Sequence, residues 1–212
     1  MRQRKVKNVE KRLEEYAAYS VKDGKAMKGK WNTVFENEKE LYLELGCGKG
    51  QFLLKQAEHN PNANFIGIEA QETIILRALE KADKSNIGNI RFVQAFMQDV
   101  TEFFEEEELS GLFLNFSDPW PKERHAKRRL THTKFLKGYE KILKPDAFIE
   151  FKTDNDQLFE FTLEEIQQNE YKIVFCSKDL HQSDLAAKYI TTEYEDKFKT
   201  IGKNINYVRF KV

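Results

Sequence analysis

The chain has 212 residues, with 35 basic and 35 acidic side chains and a formal net charge of zero at pH 7. This length is typical of one large domain with a sizeable core. The balanced charge excludes a strong overall field that would attract a nucleic acid. The two cysteines and four histidines lack the spacing of a disulfide framework or a metal site, so we expect no metal.

The N-terminal region is basic, because six of the first twelve residues are Lys or Arg. We predict that residues 1–30 form an arm or short helix outside the core, and that residues 40–212 form the core of a single domain spanning 1–212. No stretch approaches the roughly 18 apolar residues of a membrane span. No apolar segment of a signal peptide follows the basic start. We therefore expect a cytoplasmic protein that does not contact membranes.

After about residue 40, short apolar runs alternate with helical patterns. The predicted strands are 41–45, 65–68, 90–93, 112–116, 148–151, 173–176 and 205–210. The predicted helices are 50–59, 72–81, 132–143 and 155–168. Strands separated by helices predict an α/β fold with an open, mostly parallel, seven-stranded sheet and helices on both faces.

A glycine-rich turn, ELGCGKG, joins the first predicted strand to the first helix at residues 44–50. Its glycines are Gly46, Gly48 and Gly50. Glycine lets the backbone approach a ligand that a Cβ would repel. The spacing fits neither the dinucleotide fingerprint nor the P-loop. Glu44 would repel a pyrophosphate and attract a cation, and Glu69, at the end of the second strand, is placed to bind ribose hydroxyls.

These acids favour S-adenosyl-L-methionine over NAD, since that cofactor carries a sulfonium and an ammonium group and no phosphate. A tight strand–helix turn flanked by surface acids is the structural alternative.

The segment 115–130, NFSDPWPKERHAKRRL, brings a rigid carboxylate and a basic run together. Pro119 and Pro121 restrict the backbone around Asp118, which suits a preorganised carboxylate. The cationic residues that follow are Lys122, Arg124, His125, Lys127, Arg128 and Arg129. Such a pairing is expected where a polyanion is held while one group on it reacts. The alternative is a well-packed turn followed by a solvated helix start.

Five motifs, LELGCGKG, IGIE, NFSDPWPKERHAKRRL, FKTDN and TEYEDKF, occur in the order and spacing of the TrmB family. The chain resembles these tRNA (guanine-N7-)-methyltransferases over essentially its whole length. The resemblance implies a class I, Rossmann-like methyltransferase fold that uses S-adenosyl-L-methionine. It also implies methylation of guanosine 46 in the variable loop of tRNA.

The resemblance implies roles for individual residues. Glu44, Glu69 and Asp118 line the cofactor site. Lys122, Asp154, Thr192, Glu193, Tyr194 and Glu195 contact the target guanosine. Arg124, His125, Lys127, Arg128 and Arg129 contact RNA. Judged from the local sequence alone, Asp154 is equally suited to capping the next helix. Residues 192–195 are likewise suited to forming an ordinary helical turn.

Guanine N7 carries a lone pair and no proton, so its methylation needs positioning and charge compensation rather than a general base. A carboxylate that accepts hydrogen bonds from the guanine N1–H and N2–H₂ supplies that compensation. Asp118 is the first candidate for this catalytic role and Asp154 the second.

One position departs from the family pattern. An aspartate or asparagine usually follows the third strand and binds the adenine amino group, whereas this chain has Phe96. The phenyl ring cannot accept that hydrogen bond. We expect either the backbone or Gln98 to replace the contact, or Phe96 to pack on the adenine face.

Two other functions remain possible from the sequence. A methyltransferase acting on a base amino group also places an acidic or amide residue before prolines, although its usual signature is [DN]PP[YFW]. A non-catalytic RNA-binding module that kept the fold is the second. The sequence leaves the choice between monomer and homodimer open.

Overall fold

The computed structural model describes residues 9–186, 189–198 and 203–212. The helices are α1 (Val9–Glu15), α2 (Trp31–Phe35), α3 (Gln51–His59), α4 (Glu72–Ser85), α5 (Thr133–Ile142), α6 (Asp156–Gln168) and α7 (Glu193–Phe198). The strands are β1 (Ser20–Val21), β2 (Glu40–Leu45), β3 (Ala63–Glu69), β4 (Ile90–Gln94), β5 (Leu109–Asn115), β6 (Leu143–Thr153), β7 (Lys172–Ser177) and β8 (Asn206–Lys211). None of the helices within these ranges is long and apolar enough to cross a membrane.

The strands form one sheet in the order β1-β4-β3-β2-β5-β6-β8-β7. All neighbouring strands are parallel except β8, which runs antiparallel to both β6 and β7. The predicted α/β fold with a mostly parallel sheet is confirmed. The described chain has eight strands instead of seven because β1, only two residues long, adds to the edge of β4.

Helices cover both faces of the sheet. Along the strands, alternate side chains enter two different apolar clusters, as the pleat of a strand requires. One cluster joins Leu43 and Ile66 to Leu136 of α5 and Phe159 of α6. The other joins Phe65, Phe92 and Phe113 to residues of α3 and α4, including Phe52 and Leu79. Central strands covered on both faces explain the continuous apolar runs in the sequence.

The N-terminal segment differs from the expected arm outside the core. Residues 1–8 lie outside the described residues. Beyond them, α1 packs against α4, and β1 pairs with β4 through Ser20 and Val21. Tyr19 and Trp31 are buried, and Trp31 stacks on Phe104 and donates a hydrogen bond from Nε1 to the Phe103 carbonyl at 3.0 Å.

We expect Trp31→Ala to lower the free energy of unfolding by about 3–5 kcal/mol, because the change leaves a large cavity and an unpaired carbonyl. Chemical denaturation monitored by circular dichroism measures the loss. Lys28→Ala, an exposed substitution in the same segment, is the control, expected to change stability by less than about 0.5 kcal/mol. A Trp31→Ala protein as stable as this control would contradict the burial of Trp31 in the core.

Candidate active site

The carboxyl ends of β2, β3, β5 and β6 meet at one edge of the sheet, and the chain reverses its direction of winding between β2 and β5. Open α/β sheets bind ligands at such a point. Glu44, Glu69, Asn115 and Asp154 lie at or just beyond these strand ends. The topology therefore brings together residues that are far apart in the sequence.

The glycine turn after β2 leaves open space beside its backbone. Gly46 and Gly48 have φ of +72° and +57°, and a Cβ added at either would meet no atom within 4 Å. Gly50 also has a positive φ, but a Cβ there would lie 2.8 Å from the Cβ of Ala78. The first two glycines therefore border a ligand space, whereas Gly50 permits close packing of α3.

Glu44 is a buried carboxylate with one oxygen satisfied. Its side chain is 2 % exposed, and Asn115 Nδ2 donates to Oε1 at 2.8 Å. Among the described residues, Oε2 has no hydrogen-bond partner. Burial raises the pKa of Glu44 to about 7, although the hydrogen bond from Asn115 and the charge of Lys152 favour the ionised form. A ligand cation, such as the ammonium of S-adenosyl-L-methionine, would satisfy this oxygen.

Glu69 is half-buried at the end of β3 and joins two loops of the same edge. Its Oε2 accepts a hydrogen bond from Gly48 N at 3.1 Å, and its Oε1 accepts one from Gln71 N at 2.9 Å. These bonds fix the carboxylate beside the glycine turn. Its remaining lone pairs are suited to accept ribose hydroxyls.

Asp118 is exposed in a strained turn. Phe116 and Trp120, on either side of it, have φ of +51° and +41°. Non-glycine residues adopt this region at a cost of about 1–3 kcal/mol each, and they persist only where surrounding contacts hold them. The sequence predicted a rigid turn here but not these dihedral angles.

Arg129 supplies those contacts. It is 8 % exposed, and its guanidinium donates to the carbonyls of Pro119 and Trp120, each at 3.2 Å, while stacking on Phe161 at 4.3 Å. The guanidinium thus holds the turn from inside, which is not what we expected of a residue predicted to contact RNA. Its burial gives it a structural role.

The other residues of the basic run differ in exposure. Lys122, Arg124, Lys127 and Arg128 are exposed, and His125 is half-buried. Residues Glu123–Arg128 form a 3₁₀ helix. Arg128 lies 4.8 Å above the Trp120 ring, and the His125 ring meets the same indole edge-on. The run therefore presents exposed cationic side chains in the segment that follows Asp118, and their contact with RNA stays a prediction.

Helix α7 lies across the glycine turn, and its acids are paired. Glu193 binds Lys49 at 2.8 Å and Lys81 at 3.2 Å. Thr192 N donates to Glu195 Oε2 at 2.8 Å, and Glu195 N donates to Thr192 Oγ1 at 3.1 Å. This reciprocal arrangement is a capping box. Thr192 and Glu195 are buried, so the structure gives them a helix-capping role that the predicted guanosine contacts did not include.

Tyr194 and Asp154 remain at the surface of the site. The Tyr194 hydroxyl donates to Asp154 Oδ2 at 2.9 Å, and its ring lies 4.7 Å from that of Phe116. The helix after β6 is capped by Asn155, whose side chain accepts from Leu158 N, and not by Asp154. The Asp154 carboxylate is thus held by Tyr194 and is not used to cap the helix.

Phe96 lies two residues beyond β4 and is 74 % exposed, the most exposed of the large apolar side chains that the structure describes. It therefore has no structural role in the core. Neighbouring Gln98 is exposed as well. Asn115 and Lys152, by contrast, are site residues that the sequence analysis missed. The first is an amide at the end of a strand, and only the pairing of β5 with β2 places it beside Glu44.

Comparison with known proteins places this architecture in one class. The structure resembles one described as "Structure of an antibiotic related Methyltransferase", with a TM-score of 0.64 and 16 % identity over 92 % of this chain and 96 % of the other. It also resembles an S-adenosylmethionine-dependent methyltransferase from Aquifex aeolicus, with a TM-score of 0.56 and 14 % identity over 96 % and 88 % of the two chains. The fold is therefore that of the methyltransferases that use S-adenosyl-L-methionine.

The sequence identifies the family within that class. Residues 38–208 match the family model described as "Putative methyltransferase". The chain is 44 % identical to a tRNA (guanine-N(7)-)-methyltransferase of Clostridioides difficile, over 97 % of this chain and 96 % of that one. It is 46 % identical to one of Pediococcus pentosaceus, over 91 % of each chain. This protein belongs to the tRNA (guanine-N7-)-methyltransferase family.

We expect the ligand-free protein to lose stability as the pH rises through the range in which Glu44 ionises. The folded-state pKa of about 7 exceeds the ordinary value of 4.5, so the folded state keeps a proton that the unfolded state releases. The resulting loss between about pH 4.5 and 7 is roughly 3 kcal/mol. Glu44→Gln should therefore be more stable than wild type at pH 8 by about 2 kcal/mol, yet bind the cofactor at least roughly ten-fold more weakly.

Thermal unfolding at pH 5 and pH 8, with cofactor titration at pH 8, measures both effects. Glu40→Gln, an exposed substitution on the same strand, is the matched control and should behave as wild type. Equal pH dependence in wild type and Glu44→Gln would contradict the ionisation of a buried Glu44.

Proposed function

We propose that this protein methylates N7 of guanosine 46 in the variable loop of tRNA, in the cytoplasm. The observation that carries the proposal is the position of Asp118. It stands on a rigid turn at the same sheet edge as Glu44 and the glycine turn, and an exposed basic run follows it at once. This arrangement suits a purine held beside a cationic cofactor, with phosphates bound next to it.

Each site residue would have a distinct role. Glu44 would bind the cofactor ammonium, Glu69 its ribose, and the backbone of Gly46 and Gly48 would allow the close approach. When bound, S-adenosyl-L-methionine supplies an electrophilic methyl group on a sulfonium.

Asp118 would accept hydrogen bonds from the guanine N1–H and N2–H₂. That contact orients N7, and it strengthens as positive charge develops on the purine. Asp154, held by Tyr194, is placed to assist. No proton needs to leave N7, so no general base is required.

The exposed residues Lys122, Arg124, Lys127 and Arg128 would bind the RNA backbone. Arginine and lysine contacts to phosphates give affinity and register without reading base sequence. Selection of the guanosine would then depend on the pocket around Asp118, Asp154 and Tyr194.

We expect Asp118→Ala to lower the rate of methyl transfer to tRNA by about 10²–10³-fold, because it removes the group that compensates the charge of the transition state. The assay measures transfer from labelled S-adenosyl-L-methionine to bulk tRNA, with nucleoside analysis of the product. Asp83→Ala, an exposed carboxylate substitution near the end of α4, is the control and should keep full activity.

The product distinguishes the candidate functions. N7-methylguanosine in wild-type reactions, lost when guanosine 46 of a transcript is changed to adenosine, supports the proposal. Methylated adenosine or cytidine would instead indicate an amino-group methyltransferase. Binding of tRNA without any transfer would indicate a non-catalytic RNA-binding protein.

We expect Phe96→Asp to bind S-adenosyl-L-methionine roughly ten-fold more tightly than wild type, since the carboxylate restores an acceptor for the adenine amino group. Calorimetric titration measures the affinity. Phe96→Ala is the control, because it removes the ring without adding an acceptor. An unchanged affinity in Phe96→Asp would contradict the placement of this position beside the adenine.

A further inference from the structure

A buried lysine lies beneath the site and has no role in the function proposed above. The Lys152 side chain is 1 % exposed. Its Nζ donates to the Ile190 carbonyl at 2.8 Å and lies 3.4 Å from Glu195 Oε2. The rings of Phe52 and Tyr189 lie 5.0 and 4.7 Å from the same nitrogen. A buried ammonium is costly unless it is paired and hydrogen-bonded, and Lys152 has partners of both kinds.

Lys152 is connected in two directions. On β6 it pairs in register with Asn115 of β5, the residue that donates to Glu44. Toward the other side it contacts Glu195, which accepts the hydrogen bond from Thr192 N at the start of α7. Asn115 and Lys152 therefore lie side by side on one face of the sheet, between the Glu44 carboxylate and the capping box of α7.

We propose that Lys152 is a positioning residue that serves both ligands. Its ammonium holds the start of α7 at the sheet edge. Its positive charge favours the ionised form of Glu44, which binds the cofactor ammonium. The first part rests on the proposed function, since it takes α7 to be the helix that contacts the guanosine. The second part concerns the cofactor alone.

Several acidic groups surround Glu44 and Lys152. Glu44 is faced by Glu69 at the end of β3, and both carboxylates lie near the buried thiol of Cys47. Lys152 is faced by Glu150 on its own strand and by Glu195 on α7. Lys152 is the buried cation among these acids within the described residues. Without it, the buried carboxylates of Glu44 and Glu195 would both lose the buried cation that faces them.

The test is the pH dependence of cofactor affinity in Lys152→Met, which keeps the length and apolar stem of the side chain. Ionised Glu44 binds the ammonium, so affinity falls as the pH drops through the pKa of Glu44. Loss of the neighbouring cation should move this fall upward by about one pH unit or more. At pH 7 we expect affinity for S-adenosyl-L-methionine to be weaker than wild type by about five-fold or more, with the difference shrinking by pH 9.

Lys55→Met is the matched control. Lys55 contacts the same segment through Thr191 and Asp196, but from the exposed side of α3. It should leave the pH profile of cofactor binding unchanged. Limited proteolysis is a second readout, in which Lys152→Met should make the segment 189–198 more susceptible to cleavage than Lys55→Met does.

If Lys152→Met does not fold, the double variant Lys152→Met/Glu195→Gln removes both charges of the buried pair and provides the same readout. A wild-type pH profile in the folded variant would overturn the proposal. Cofactor binding is measured without RNA, so this result is independent of the methylation assay. A shifted profile in a protein that forms no N7-methylguanosine would refute the proposed function and leave the role of Lys152 toward Glu44 supported.

Discussion

The site depends on a carboxylate placed where the fold would otherwise have an apolar side chain. Glu44 lies on β2, between β3 and β5, in the most covered part of the sheet. Burial of a charge there is unfavourable unless partners compensate it. Asn115, Lys152 and the glycine turn are arranged around this one group. An ionised Glu44 lowers the stability of the ligand-free protein. The same uncompensated charge gives a cationic ligand its affinity for this position.

The turn that carries Asp118 contains backbone strain, and hydrogen bonds from a buried side chain compensate it. Positive φ angles at Phe116 and Trp120 place the carboxylate at the sheet edge, and the guanidinium of Arg129 binds the two carbonyls exposed by that geometry. Local strain is thus balanced by a buried cation rather than by the proline residues alone. The buried Arg129 holds the carbonyls of the turn, while the exposed residues of the basic run remain available to a polyanion.

Much of the fold could be predicted from the sequence, because central strands and amphipathic helices leave strong periodic patterns. The short strand β1 could not, since two residues carry no pattern and become a strand only by pairing with β4. The early start of β6 at Leu143 was also missed, because the predicted strand began only at residue 148. The first pair of β5 with β6, Leu109 with Leu143, is separated from the rest by a register irregularity, which no sequence pattern indicates.

The site could be predicted in its placement where a residue follows from a strand end or a local turn, as with Glu44, Glu69 and Asp118, whose binding roles stay predictions. It was not predictable where the role depends on the partner. Arg128 and Arg129 are identical neighbours in the sequence, yet only the second is buried. In the sequence Lys152 is an ordinary lysine within a strand. Its role becomes visible only when β5, β6 and α7 pack together in the fold.

The position of β8 has a consequence for how the protein reaches this state. It is the last strand along the described chain, yet it lies inside the sheet between β6 and β7. During translation, β7 leaves the ribosome before the strand to which it pairs. Until β8 inserts, both of its neighbours present open edges, and β7 also exposes Ile173 and Val174. The nascent chain thus passes through an interval in which its sheet can pair with other chains.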